Sequence, residues 1–231
     1  MTEALWALGR GMGVAALVSF TAAVVLGIVT RSGRPLPGLP RFGVALVHRD
    51  VSLFATAFLA VHVVALLFDP YAQLTLLDTV VPFFGDFRPF WQGLGTLALD
   101  LTIAIALTGM LRRHVGHRVF RVVHWGTYLL WPVALAHAIG NGTNGTDAWF
   151  LALAGVCTLA VVTSVAWRVS TRFVEWDDRR LPRATARDLG VVDPVAPFAS
   201  GPSSSGPLPV VPSTTAVGRP TATRPVERLH R

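Results

Sequence analysis

Residues 42–68 read FGVALVHRDVSLFATAFLAVHVVALLF, and residues 119–139 read VFRVVHWGTYLLWPVALAHAI. Each of these apolar runs carries two histidines: His48 and His62 in the first, and His124 and His137 in the second. An ionisable side chain is costly inside a membrane unless it has a partner, so intramembrane histidines are functional candidates. Two spans that face each other could supply four imidazoles as two cross-helix pairs, the arrangement that two haems stacked across a bilayer require.

The composition indicates an integral membrane protein. Mean hydropathy is +0.53, and charged residues make up only 14% of the 231-residue chain. Several runs approach the roughly 20 apolar residues that a helix needs to cross about 30 Å of hydrocarbon. The sequence pI of 11.3 could suggest a nucleic-acid partner, but the arginines cluster at the ends of the apolar runs, as topology signals do. We therefore expect membrane lipid as a partner and no nucleic acid.

Five apolar runs predict five transmembrane helices, over residues 5–29, 42–68, 94–111, 119–139 and 149–167. A signal peptide is the alternative for the first run, but its small residues lie inside the run, which favours a retained helix. The apolar middle of residues 69–93 could form an interfacial helix. We predict an all-α integral membrane bundle of about five helices, with residues 1–175 as the transmembrane domain.

The composition changes in residues 176–231, which are rich in Pro, Ser, Thr and Arg. This segment cannot bury enough apolar surface to offset its chain entropy, so we predict a disordered cytoplasmic tail. It contains no glycine-rich nucleotide loop and no alternation of strands and helices. We therefore expect no flavin or nicotinamide domain in this chain. The single cysteine, Cys157, rules out an intrachain disulfide, and its apolar surroundings indicate a packing residue.

The distribution of arginine predicts the orientation in the membrane. Basic and non-basic connections alternate along the chain: residues 31–41, 112–121 and those after 167 are basic, whereas residues 69–93 and 140–148 are acidic or neutral. We expect a bacterial plasma membrane protein with its N-terminus outside and its C-terminus in the cytoplasm. His48 and His124 then lie near the cytoplasmic side. His62 and His137 lie toward the outer side, so the topology pairs the histidines at matching depth.

Helix geometry places one histidine pair on a single face. Fourteen residues separate His48 from His62, which is nearly four turns, so both rings share a face about 21 Å apart along the axis. Thirteen residues separate His124 from His137, and in a straight helix these rings would point about 140° apart. Pro132 lies between them, and a proline kink could bring both rings to the partner helix.

Two cross-helix pairs would give each haem iron two protein ligands. The inner iron would be held by His48 and His124, and the outer iron by His62 and His137. Such an iron has no open axial site, which suits electron transfer better than oxygen chemistry. Guanidinium groups bind carboxylates through two parallel bonds, so arginines near the inner pair could hold haem propionates. These arginines are Arg41, Arg49, Arg118 and Arg121. Their alternative role as topology signals is sufficient for most of them.

Three other ionisable residues have open roles. Asp100 lies inside the third apolar run, where a carboxylate could relay protons, bind a substrate or pair with an arginine. The alternative for Asp100 is a hydrogen bond to a neighbouring helix. His114 and His117 lie in a basic connection, so we expect them to be solvated rather than to act as ligands.

The histidine spacing, 14 residues in one span and 13 in a later one, resembles that of the ferric reductase transmembrane domain. This domain is shared by eukaryotic ferric reductases, NADPH oxidases and the bacterial haem membrane subunit of periplasmic methionine sulfoxide reductase. Residues 118–139, RVFRVVHWGTYLLWPVALAHAI, are similar to the family's Arg-x-x-His-x-x-x-Tyr segment. The matching stretch supplies Arg121, His124, Tyr128 and His137. The resemblance covers roughly residues 10–170.

The resemblance implies two b-type haems, an inner one on His48 and His124 and an outer one on His62 and His137. It also implies electron transfer outward, from a quinone or a cytoplasmic flavoprotein to an external acceptor. An extracytoplasmic FMN-binding protein or reductase would suit as that acceptor. The chain departs from the long members of the family, because it shows no FAD/NADPH domain and five spans where many members have six.

One leading function and two alternatives follow. The leading hypothesis is a membrane cytochrome b, an oxidoreductase electron-transfer subunit in which no residue is assigned a catalytic role. The first alternative is a non-catalytic membrane scaffold that recruits a partner protein through its tail. The second is an ion or metal transporter that uses the histidines as transient ligands, which is disfavoured because the spans offer few acidic partners beyond Asp100.

Overall fold

The structure is a computed structural model that describes residues 2–72 and 74–175. Within these residues the chain forms six α-helices and no β-strand. The helices are α1 Thr2–Ser32, α2 Arg41–Leu67, α3 Pro89–Met110, α4 Arg112–Trp125, α5 Thr127–Asn141 and α6 Ala148–Val169. Five stretches are long and apolar enough to cross a membrane, because α4 and α5 together form one of them. This confirms the predicted all-α membrane bundle, while the predicted tail, residues 176–231, lies outside the described residues.

Helices α1 and α2 form a hairpin joined by a short turn. Leu36 and Leu39 close the turn with paired backbone hydrogen bonds of 3.1 and 2.9 Å. Gly38 lies between them with a φ of 76°, a conformation that glycine adopts without steric cost. Helix α2 begins directly after Pro40, within one residue of the predicted start, so the second span is confirmed in its extent.

The helices pack as two groups that meet along α1. Helix α2 packs mainly against α1, whereas α3 packs against α4 and α5. Helix α1 also contacts α5 and α6, where Trp131, Cys157 and Val161 form a buried cluster. The two histidine-bearing spans are therefore held by their neighbours rather than by close packing on each other, which leaves a cleft between them. Cys157 is buried and unpaired, as expected of a packing residue.

The predicted basic connection over residues 112–121 is wrong, because these residues form most of α4. Arginine is a good helix former, and the apolar residues Val115, Val119 and Phe120 recur at helical spacing. The stretch therefore extends the fourth span instead of separating it from the third. Gly116 interrupts α4 with a φ of 78° and a ψ of 158°, a conformation that residues with a side chain rarely adopt.

Gly126 separates α4 from α5 in the fourth span, although its φ of −55° and ψ of −18° are helical. The Gly126 carbonyl accepts the N–H of Leu130 at 2.8 Å as α5 begins. The Thr127 hydroxyl donates to the His124 carbonyl at 2.9 Å, and such a bond competes with the continuing helix. Pro132 lies inside α5 without ending it. The expected kink at Pro132 stays a prediction.

The connection between α2 and α3 forms successive turns, and its described residues contain no helix. The alternative of an interfacial helix is therefore wrong for this part of the chain. The Asp78 carbonyl accepts a 2.5 Å hydrogen bond from the Thr96 hydroxyl on α3. Arg88 donates a 3.0 Å hydrogen bond to the Gly140 carbonyl near the end of α5. These bonds hold the connection against the ends of the two helices, where backbone groups need partners.

Candidate functional site

The inner histidines lie next to each other. His48 on α2 and His124 on α4 have ring centroids 6.3 Å apart, with their planes at 89°. A metal–imidazole bond is about 2.0 Å long, so two rings that share one metal atom have centroids about 6 Å apart. The observed separation therefore leaves room for a single metal atom between the two rings.

The outer histidines line a cleft farther along the same spans. His62 on α2 and His137 on α5 both border it, and its cavity volume is about 90 Å³. Cofactor pockets typically enclose about 300–1,000 Å³. Helices α1 and α3 contribute further walls, and Leu74 and Thr79 close one side from the connection between α2 and α3. The cleft is therefore smaller than a typical cofactor pocket, but both predicted outer ligands border it.

Hydrogen bonds fix the orientation of both outer imidazoles. Nδ1 of His62 donates to the Gly9 carbonyl at 2.6 Å, and Nδ1 of His137 donates to the Trp91 carbonyl at 2.8 Å. A carbonyl oxygen can only accept, so Nδ1 carries the proton in each ring. Nε2 is then the unprotonated nitrogen, and a neutral imidazole with a free ring nitrogen is the form that binds a metal.

The inner imidazoles have different surroundings. Nδ1 of His48 is buried and forms no hydrogen bond with the described residues. His124 stacks on Phe120, one turn earlier in α4, with ring centroids 5.1 Å apart and planes at 26°. His48 therefore lacks the completed Nδ1 hydrogen bond that both outer rings form.

Helix α1 is part of the site, although the sequence predictions assigned it no such role. Gly13 lies against the ring of His62, and Gly27 lies against the ring of His48. The signal was present in the sequence, because the two glycines are separated by the same 14 residues as the two histidines. It could be recognised only once α1 and α2 were known to pack on each other.

The predicted arginines make surface contacts. Arg121 is exposed, and its guanidinium forms a 3.3 Å hydrogen bond with Nδ1 of His117. Arg49 is also exposed and pairs with Asp50 at 3.2 Å. Neither contact involves the inner histidine rings. His114 and His117 are exposed, in agreement with the expectation that they are solvated.

The donor set fits haem better than a bare ion. Within residues 2–72 and 74–175, no group of three or more His, Cys, Asp or Glu side chains could hold a metal ion. Each histidine pair instead offers two ligands, which is the number that a porphyrin-bound iron needs, because the macrocycle fills its other positions. Asp100 is half-buried in α3 and is not among the residues that line the outer cleft.

The comparisons with known proteins identify the family. The sequence model of the family described as ferric reductase like transmembrane component matches residues 12–135, which is more than half of the chain. The matched region includes His48, His62 and His124 and ends two residues before His137. Comparisons with curated proteins and with solved structures gave no match. The chain therefore belongs to the ferric reductase-like transmembrane component family, and it is a multi-pass membrane protein and a membrane component of electron transfer.

Proposed function

We propose that this protein is a membrane cytochrome b that carries electrons through two bis-histidine b-type haems to an acceptor outside the membrane. In this proposal His48 and His124 hold the inner iron, and His62 and His137 hold the outer iron. The observation that carries the proposal is the 6.3 Å separation of the His48 and His124 rings, which is the spacing that one shared metal atom requires.

The protonation of the outer rings supports the same assignment. Haem, when bound, supplies an iron that exchanges single electrons. The Gly9 and Trp91 carbonyls hold the Nδ1 protons of His62 and His137, so each ring offers Nε2 as a ligand. With two imidazoles holding it, each iron would be suited to electron transfer rather than to oxygen chemistry.

The walls of the outer cleft separate that site from water. Apolar side chains from three helices line it: Leu17, Phe20, Leu59, Val63 and Leu99. An apolar shell limits solvent access and thereby influences the reduction potential of a bound metal. Leu74 and Thr79 add the connection between α2 and α3 to this shell. We propose that an external acceptor approaches the outer haem over this connection.

The direction of electron transfer follows from the arginine distribution. The basic connections predict that the inner pair lies on the cytoplasmic side and the outer pair toward the opposite side. A quinone or a cytoplasmic flavoprotein would then supply electrons at the inner haem, and an extracytoplasmic FMN-binding protein or reductase would accept them. Arg121, exposed on α4 close to His124 in sequence, is the arginine we propose to bind an inner haem propionate.

A reduced-minus-oxidised spectrum of the purified protein tests the proposal. We expect low-spin b-type bands and two haems per chain. The double variant His62→Ala, His137→Ala should lose the outer haem and retain the inner one, which halves the haem content. The matched control, His114→Ala, His117→Ala, removes two exposed histidines and should keep both haems.

Two results would contradict the proposal. The first is wild-type protein without b-type bands after expression in haem-sufficient cells. The second is unchanged haem content in the His62→Ala, His137→Ala variant. The scaffold alternative depends on residues 176–231, which lie outside the described structure, and no contact among the described residues favours it.

A further inference from the structure

Three of the four candidate ligand rings pack directly against a glycine of a neighbouring helix. A methyl carbon added to Gly13 would lie 2.9 Å from Cε1 and Nδ1 of His62, and one added to Gly95 would lie 2.5 Å from Cε1 of His137. A methyl carbon added to Gly27 would lie 3.2 Å from Cε1 of His48. Real carbon contacts are essentially never closer than 3.0 Å, so the two outer rings occupy space that any other residue would fill.

The hydrogen-bond acceptor of each outer ring lies four residues before its glycine. His62 donates to the carbonyl of Gly9, four residues before Gly13. His137 donates to the carbonyl of Trp91, four residues before Gly95. In an α-helix the carbonyl of residue i−4 points at residue i. A glycine at position i leaves that carbonyl uncovered, and its second lone pair can accept an imidazole N–H in addition to the helix bond.

The inner ring of α2 is placed in the same way. The backbone of Ala23, four residues before Gly27, approaches His48, although the buried Nδ1 of His48 completes no hydrogen bond. Helices α1 and α2 run in opposite directions, and their glycines and histidines are both 14 residues apart. A single alignment of the two helices therefore places His62 against Gly13 and His48 against Gly27.

We propose that Gly13, Gly27 and Gly95 are positioning residues for the haem ligands, an inference that rests on the proposed function. Each glycine admits an imidazole to the surface of α1 or α3, next to the carbonyl of the preceding turn. In His62 and His137 this contact directs Nδ1 to the carbonyl, which leaves Nε2 as the nitrogen that could bind iron. His124 differs from the other three, because its ring stacks on Phe120 of its own helix.

This placement also influences the reduction potential. An Nδ1–H that donates to a carbonyl makes the imidazole a stronger electron donor to its metal. A stronger donor stabilises ferric over ferrous iron, which lowers the potential. Both outer rings donate in this way, at 2.6 and 2.8 Å. Loss of either bond should therefore raise the potential of the outer haem.

Gly13→Ala tests the proposal, with Gly11→Ala as its matched control. Gly11 lies on the same helix, and a methyl carbon there meets nothing within 4 Å. Both changes affect helix propensity equally. In spectroelectrochemical titrations we expect Gly13→Ala to lose the outer haem, halving the haem content, or to shift the outer potential upward. Gly11→Ala should leave both haems unchanged. Gly95→Ala and Gly109→Ala form a second pair with the same expectation, because Gly109 is equally open.

A double-mutant cycle separates ring contact from general misfolding. Thermal unfolding of haem-free protein is compared for Gly13→Ala with and without His62→Ala. Gly13→Ala should lower the unfolding temperature when His62 is present. In the His62→Ala background the same change should have little effect. Equal destabilisation in both backgrounds would overturn the inference. If wild type binds two haems and Gly13→Ala titrates identically to Gly11→Ala, the positioning role of the glycine is overturned. The proposed function then remains intact. A wild type without haem would instead overturn the proposed function.

Discussion

At the scale of single residues, backbone and hydroxyl groups satisfy polar atoms inside an apolar bundle. His62 and His137 donate to backbone carbonyls of neighbouring helices. The buried indole of Trp131 donates to the Thr21 hydroxyl at 2.9 Å, and that hydroxyl donates in turn to the Leu17 carbonyl at 2.9 Å. Lipid cannot replace these partners, so the bonds of His62, His137 and Trp131 each orient a side chain and link that residue to another part of the bundle.

Replacement of the Thr21 hydroxyl should loosen the link between α1 and α5. Thr21→Val keeps the shape of the side chain but leaves the Trp131 N–H without its acceptor. We expect a loss of about 1–2 kcal/mol, the range for a polar link between membrane helices. Thr21→Ser retains the hydroxyl and should restore most of that stability. Unfolding of the three proteins in detergent measures the difference, and a Val variant as stable as wild type would show that this bond contributes nothing.

At the scale of helices, the fourth span determines the directions in which the rings of His124 and His137 point. Helix α4 carries His124 and α5 carries His137, with the break at Gly126 between them. A 13-residue spacing does not place two rings on one face of a straight helix. Two candidates for a change of direction lie between the histidines: Gly126, the single residue between α4 and α5, and Pro132, inside α5.

Substitution at the break should therefore affect the inner site more than substitution of the proline. A methyl carbon at Gly126 would lie 2.8 Å from the Val123 carbonyl, so Gly126→Ala must shift the end of α4 and move His124. We expect Gly126→Ala to lose the inner haem and Pro132→Ala to retain both haems. Haem-to-protein ratios of the two purified variants provide the measurement. A lower haem content in Pro132→Ala than in Gly126→Ala would show that Pro132, not Gly126, sets the position of the His124 ring.

At the scale of the whole molecule, five spans alternate between basic and non-basic connections. The turn between α1 and α2 and the start of α4 carry arginines, whereas the connection after α5 has none and the connection after α2 has Arg88 against three aspartates. Arginine-rich connections tend to stay in the cytoplasm. This distribution predicts that the two ends of the five-span bundle lie on opposite sides of the membrane, with the inner histidines near the cytoplasmic side.

Labelling of single cysteines in intact cells tests this orientation. Cys157 is replaced by alanine, and a new cysteine is introduced either as Thr143→Cys or as Pro37→Cys, two exposed positions in opposite connections. A membrane-impermeant maleimide should label Thr143→Cys in intact cells and Pro37→Cys only after the membrane is opened. The reverse pattern would invert the bundle and the proposed direction of electron transfer.

The sequence by itself determined the number of spans and the limits of the second one, and it predicts the pairing of histidines at two depths. These features depend on local quantities, namely the length of an apolar run, the position of arginine and the helical repeat. Helix α2, for example, begins within one residue of its predicted start. Local patterns were less informative between runs, where arginine-rich residues 112–121 proved helical and the connection after α2 proved to contain no described helix.

Only the tertiary structure decided how the candidate ligands are held. Gly13 and Gly27 acquire a role because α1 packs against α2, and Gly95 because α3 packs against α5. The carbonyls of Gly9 and Trp91 accept from histidines 53 and 46 residues away in sequence. A backbone carbonyl is present at every residue, so no sequence pattern distinguishes those that serve as acceptors. Packing distinguishes them, because only the approach of two helices brings a particular ring to a particular uncovered carbonyl.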